Sequence, residues 1–183
     1  MTAARRRTQT VAHRGDPYHH RENTLSSVRS ALVKGADVVE IDVQLTRDGV
    51  PVLLHDPTLE RLWGRPKPVA SLTAAEVERI TGGGVPTLAA ALAELLAHPT
   101  GRMLLDMSDP EHVEPTLAAV HAAGATDRVY WCGLLSAMLT VRAHDPAAEI
   151  AMTWTTSRRP PLSLLADLQP RWLNLNFPLV DPA

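Results

Sequence analysis

The sequence predicts an α/β fold with parallel strands. Strand-like runs alternate with helix-like segments along all 183 residues, the rhythm that a parallel sheet covered by helices produces. A composition that is 45% hydrophobic and 21% charged, with a formal net charge of −2, suits one globular domain over residues 1–183 with a sizeable core. Aromatic residues make up 4% of the chain, so that core must come chiefly from Ala, Leu and Val.

The first strand is expected over residues 8–13. A helix follows, with Asn23 or Thr24 as N-cap, Leu25, Val28 and Leu32 on one face, and Gly35 as its stop. The second strand runs over 38–45, Asp48-Gly49 signals a hairpin turn, and 52–55 returns. A polar loop at 64–68 leads to a short helix opened by the capping box Thr73-x-x-Glu76. The Gly82-Gly83-Gly84 loop comes next, and Pro86-Thr87 opens an Ala/Leu-rich helix over 88–97. Further strands are expected at 103–107, 128–132, 150–154 and 172–176. The helices between them fall at 113–123, 136–143 and 162–168.

Several function classes lose support. Near-neutral charge does not favour nucleic-acid or general membrane-surface binding. No apolar run is long enough to span a bilayer. Arg5-Arg6-Arg7 is followed by polar residues and a strand, not by an apolar signal region. The single cysteine, Cys132, excludes an internal disulfide and fits a reducing, cytoplasmic setting.

The chemistry concentrates in residues 11–56. In the second strand Val39, Ile41, Val43 and Leu45 share one face, and Glu40, Asp42 and Gln44 share the other. Such alternation commonly marks a half-exposed strand with a solvent face. It also fits a barrel strand whose apolar face meets helices and whose carboxylates point into the mouth. A two-residue turn at Asp48-Gly49 would pair Asp42 with His55, with Cβ atoms about 5 Å apart, and set Val52 and Leu54 on the apolar face with Ile41 and Val43. A one-residue slip would reverse those faces. His13-Arg14-Gly15 closes the first strand. Two imidazoles, a guanidinium and paired carboxylates are the groups that metal-assisted phosphodiester cleavage needs.

The pattern HRG…ENT…EIDVQLTRDG…VLLHDP resembles the signature of the glycerophosphodiester phosphodiesterases over roughly the first third of the chain, with weaker resemblance continuing to the end. The resemblance implies a TIM-type (β/α) barrel. It gives His13 and His55 the general acid and base roles, Arg14 the phosphate clamp, and Glu40 and Asp42 the binding of a divalent cation, Ca²⁺ or Mg²⁺. The implied partner is a small-molecule glycerophosphodiester, cleaved to glycerol phosphate and an alcohol. Glu22 matches the acidic residue of the family's P-E-N-T motif as a further ligand or an orienting group, while Arg21 stands where proline is usual. In the third-strand Glu-x-Lys position this chain has Asp106 and Ser108. Asp106 can still ligate; Ser108 removes a phosphate-facing cation. Trp154, at another strand end, would line the pocket or simply pack. About six βα units are visible, against eight in a closed barrel of about 250 residues, so the barrel is expected to be incomplete at the C-terminus. Its open side makes a second copy of the chain a candidate partner. Two alternatives stay open: a related lipid phosphodiesterase or lyase, and a non-catalytic barrel remnant that binds a phosphate ligand or a partner, which Ser108 favours.

Overall fold

The structure, a computed structural model, describes residues 8–176 and 178. β1 (Val11–His13) leads through α1 (Leu25–Val33) to β2 (Val38–Leu45) and the return strand β3 (Pro51–Leu53). After α2 (Glu60–Trp63), α3 (Ala74–Thr81) and α4 (Leu88–Ala97) come β4 (Arg102–Met107), α5 (Val113–Ala122) and β5 (Val129–Gly133). The last described elements are α6 (Leu135–His144), β6 (Ala151–Trp154), α7 (Leu162–Leu168) and β7 (Trp172–Leu175).

β1, β2, β4 and β5 pair in parallel, in chain order, and β6 pairs in parallel with β7. The two sheets join at Trp131 and Ile150, where the Trp131 N–H donates to the Glu149 carbonyl at 3.0 Å. Six parallel strands that follow one another in space and alternate with helices are the (β/α)-barrel plan read from the sequence. No helix among the described residues is long and apolar enough to cross a membrane.

Local chemistry sets the element ends. The Thr24 hydroxyl accepts from the Ser27 N–H, so Thr24, not Asn23, caps α1. Thr73 and Glu76 form the expected reciprocal capping box on α3. Val39, Ile41 and Val43 lie in the main core with Val28, Leu92 and Leu95 of the helices and Met103 and Leu105 of β4. The opposite faces of the strands carry a smaller inner cluster of Val38, Leu104, Tyr130, Cys132 and Ala151. Glu40 and Asp42 are therefore on the barrel side of β2, as the barrel reading requires.

The hairpin differs from expectation. Val43 faces Leu53 and Gln44 faces Val52, so Asp42 stands opposite Leu54, not His55. The loop holds three residues, Arg47-Asp48-Gly49, between Thr46 and Val50, whose backbones bond at 3.1 Å. Side chains select it. The Thr46 hydroxyl donates to Asp48 at 2.6 Å and accepts from the Val50 N–H, and Asp48 also takes the Ala74 N–H at the start of α3. In this register Leu53 joins the main core, and Val52 and Leu54 turn to a second cluster with Leu59, Val69, Leu72, Val77 and Val85. That cluster is built by β3 and the segment between β3 and α4, whose Arg61 and Trp63 meet Glu22 and Arg21 of the loop after β1.

Candidate active site

At the end of β1 the chain turns sharply. Arg14 and Gly15 both have positive φ, 58° and 86°. A Cβ on Gly15 would lie 2.2 Å from the Ser27 hydroxyl, so only glycine lets α1 close on this turn. The Ser27 hydroxyl donates to the Arg14 carbonyl and accepts from the Asp16 N–H, each at 2.7 Å. The turn aims the Arg14 N–H at Glu40, 2.9 Å away, and the Arg14 side chain along β2. Its Nη1 donates to Glu22 at 2.9 Å, while Nε lies 3.2 Å from Asp42 as a buried donor without a hydrogen-bond partner.

Three carboxylates converge on this turn. Asp42 and Asp106 are partners across β2 and β4, and Glu40 precedes Asp42 by one inward position. Oxygens of Glu40, Asp42 and Asp106 lie within 4.8 Å of one another. Burial, then the Asp42 charge, pushes Glu40 up to about 8. Burial and Asp42 also raise Asp106, which the Cys132 thiol partly relieves by donating to it. Asp42 has better company: the Asn23 amide donates to its carboxylate at 2.7 Å and accepts its backbone N–H at 3.2 Å. Crowded, buried, hard oxygen donors fit a divalent cation such as Ca²⁺ or Mg²⁺.

The histidines approach from two sides. His13 puts Nε2 3.8 Å from Glu40, with its side chain 71% exposed. His55 lies beyond the end of β3. Its Nδ1 is 2.7 Å from Asp56, and its carbonyl accepts from Gln44. Arg61 donates both to Asp56 and to Glu22, at 2.6 Å each. Those bonds, Arg61's first, hold Glu22 and Asp56 below the usual carboxylate range.

The sequence profile of the "Glycerophosphoryl diester phosphodiesterase family" matches residues 13–183. The chain belongs to this family. Glycerophosphodiester phosphodiesterase 1 of Rattus norvegicus is 36% identical over 106 residues, covering 51% of this chain and 32% of that protein. The chain thus matches about a third of the length of that relative. Among solved structures, an Oleispira antarctica phosphodiesterase in complex with the product sn-glycerol-3-phosphate superposes with a TM-score of 0.76 at 25% identity, covering 95% of this chain and 77% of that one. The glycerophosphodiester phosphodiesterase of Thermotoga maritima gives a TM-score of 0.75 at 20% identity, covering 92% of this chain and 74% of that one.

In this member of the family, His13, Arg14, Glu22, Glu40, Asp42, His55 and Asp106 gather at the C-terminal ends of the strands, linked by the contacts above. Ser108 is exposed at the same end, its hydroxyl 3.3 Å from the Gln44 amide. Trp154 packs against the helix-side core, and its indole N–H donates to the Arg158 carbonyl at 2.6 Å. Four contributors were given no part in the site by the sequence reading. Asn23 belongs to the ENT run but was given only a capping role there, yet it is buried, takes φ 55°, and grips Asp42. Asp56 entered only as the neighbour of His55 in the VLLHDP run, and Arg61 gave no signal. Gly133 ends β5 where a Cβ would lie 2.8 Å from the Asp106 carboxylate and closer still to Met107, so its small size gives Asp106 room. A glycine closing a strand beside a carboxylate strand was the one available hint.

Proposed function

We propose that this chain hydrolyses glycerophosphodiesters such as glycerophosphocholine to glycerol phosphate and an alcohol, as a single domain over residues 1–183 working in the cytoplasm. The observation that carries the reading is the convergence of three buried carboxylates with Arg14, whose Nε is an unpartnered buried donor. Glu40, Asp42 and Asp106 would hold a divalent cation, which when bound supplies positive charge against the phosphoryl oxygens. Arg14 grips a phosphate oxygen from the other side; held by Glu22 and flanked by Asp42, it needs little reorganisation to do so. His13 and His55 form the acid–base pair: one takes the proton of the attacking hydroxyl, from water or from the substrate itself, and the other protonates the leaving alcohol. Both are exposed enough to reach a bound diester.

A lysophospholipid is a second substrate class for the same chemistry. Tyr18 and Leu134, which are exposed in the loops after β1 and β5 at the mouth end, favour it. Release of choline from glycerophosphocholine and from lysophosphatidylcholine, with Mg²⁺ or Ca²⁺ and with chelator, tests both. We expect cation-dependent release that chelator abolishes. Full-rate release in chelator, or none from either diester with either cation, overturns the proposal.

A further inference from the structure

We infer that Arg61 is a positioning residue that fixes His55 and Arg14 together, through Asp56 and Glu22; the inference rests on the hydrolysis proposed above. Arg61 sits on α2, outside every strand of the barrel. Its Nε donates to Asp56 Oδ2 at 2.6 Å and its Nη2 reaches Asp56 Oδ1 at 3.2 Å, a fork that fixes the carboxylate plane. The same Nη2 donates to Glu22 Oε1 at 2.6 Å, and that oxygen also takes Arg14 Nη1 at 2.9 Å. One guanidinium therefore ties the loop after β1 to the segment after β3.

The link reaches the chemistry through Asp56. An ionised carboxylate only accepts hydrogen bonds, so the 2.7 Å contact places a proton on His55 Nδ1. A neutral His55 then keeps its lone pair on Nε2, the nitrogen free to accept a proton from a nucleophile. Arg61 itself never touches substrate in this arrangement. Lysine offers a point charge without the fork and cannot hold both carboxylates in these planes. An ordinary exposed ion pair would leave the imidazole proton and Arg14 indifferent to its removal.

The test uses the whole chain, ¹⁵N-labelled, with long-range ¹H–¹⁵N spectra of the His55 ring above its pKa. The natural protein should show one neutral form with the proton on Nδ1, and Arg61→Met a mixture of both tautomers. In glycerophosphocholine turnover, Arg61→Met should lower kcat about 10–100-fold with a smaller rise in KM. Adding Asp56→Asn to it should cost little more, because the two act in one chain. An unchanged His55 tautomer in Arg61→Met, or losses that multiply in the double variant, overturns the inference. Should Arg61→Met not fold, Arg61→Gln is read by the same tautomer criterion. If the natural protein cleaves no diester, the hydrolysis reading falls, and the tautomer spectra still decide what Arg61 does.

Discussion

The two ends of the barrel handle buried charge in opposite ways. At the N-terminal ends of the strands Glu149 meets a bidentate Arg102 at 2.9 and 3.0 Å, the Trp172 indole at 2.6 Å and Arg171 at 3.4 Å. Burial alone would raise Glu149, but the Arg102 and Trp172 hydrogen bonds outweigh it and hold the carboxyl below its ordinary value. At the C-terminal ends Glu40 is driven up to about 8, because burial and Asp42 outweigh the Arg14 N–H. The same residue type moves in opposite directions at the two ends of one barrel. A fold that neutralises its carboxylates at one end has the means to do so at the other. The crowded, unneutralised carboxylates at the mouth are instead the grouping that could hold a cation.

The sharpest way to break that comparison is to remove the acid–base groups of the mouth. His55→Ala or His13→Ala should lower turnover about 10²–10⁴-fold, with the melting temperature little changed, since both imidazoles are largely exposed. Steady-state kinetics and thermal melts on the same samples check this. Near-normal turnover by either variant removes that histidine from the proposed pair.

Next in size is the cation itself. Asp42→Asn should weaken Mg²⁺ or Ca²⁺ binding by about 10–100-fold in calorimetric titration, because it removes the carboxylate that stands across from Asp106 and beside Glu40 on the same face of β2. At neutral pH binding should release close to one proton, from Glu40, and affinity should fall as pH drops below about 8. Stability carries the same sign. Glu40 ionises near 4.5 when unfolded and near 8 when folded, so the metal-free chain should lose stability as pH rises from 4.5 to 8 and change little from this group outside that window. Added cation should reverse the loss. Melting temperatures that climb over that window without metal would show that Glu40 is not held protonated.

The comparison also shows what was legible in the sequence. The period-two alternation of Glu40, Asp42 and Gln44 against Val39, Ile41 and Val43 is local, and it assigned the faces of β2 correctly. The Thr73–Glu76 box is local too, and it opens α3 as expected. The hairpin register was not legible from Asp48-Gly49 alone. It depends on a Thr46 hydroxyl and on Asp48 reaching Ala74, 26 residues on. The struts of the site were hidden for the same reason: Asn23 meets Asp42 across 19 residues and Arg61 meets Glu22 across 39. Periodicity reports which face a residue takes; it does not report which distant partner waits there.

At the opposite end, Glu149→Gln should lower stability by about 1–2 kcal/mol, the loss expected when charge-assisted hydrogen bonds to half-buried partners are weakened. Its effect on cation affinity should stay within about twofold, since sites that share no partners act independently. Chemical denaturation and calorimetry together read the two quantities. A variant that keeps its stability but loses cation binding would mean that the two ends are coupled, and that the contrast drawn above is false.

The smallest effect expected is the one that makes the mouth more like the base. Ser108 is exposed beside Gln44, past the end of β4 and two residues from Asp106. Ser108→Lys adds a flexible cation to an end that carries three carboxylates against Arg14. A unit charge several ångströms away in largely aqueous surroundings is worth under about 1 kcal/mol, so KM for glycerophosphocholine should fall about two- to fivefold, with kcat steady. The same charge should draw Glu40 down from about 8, so that fewer protons leave when the cation binds at neutral pH. Both changes should fade in high salt, because the new ammonium is exposed to screening. A KM that rises, together with unchanged proton release, would place the Ser108 side chain outside the reach of both phosphate and carboxylates. The missing cation would then be no part of what sets this mouth's charge.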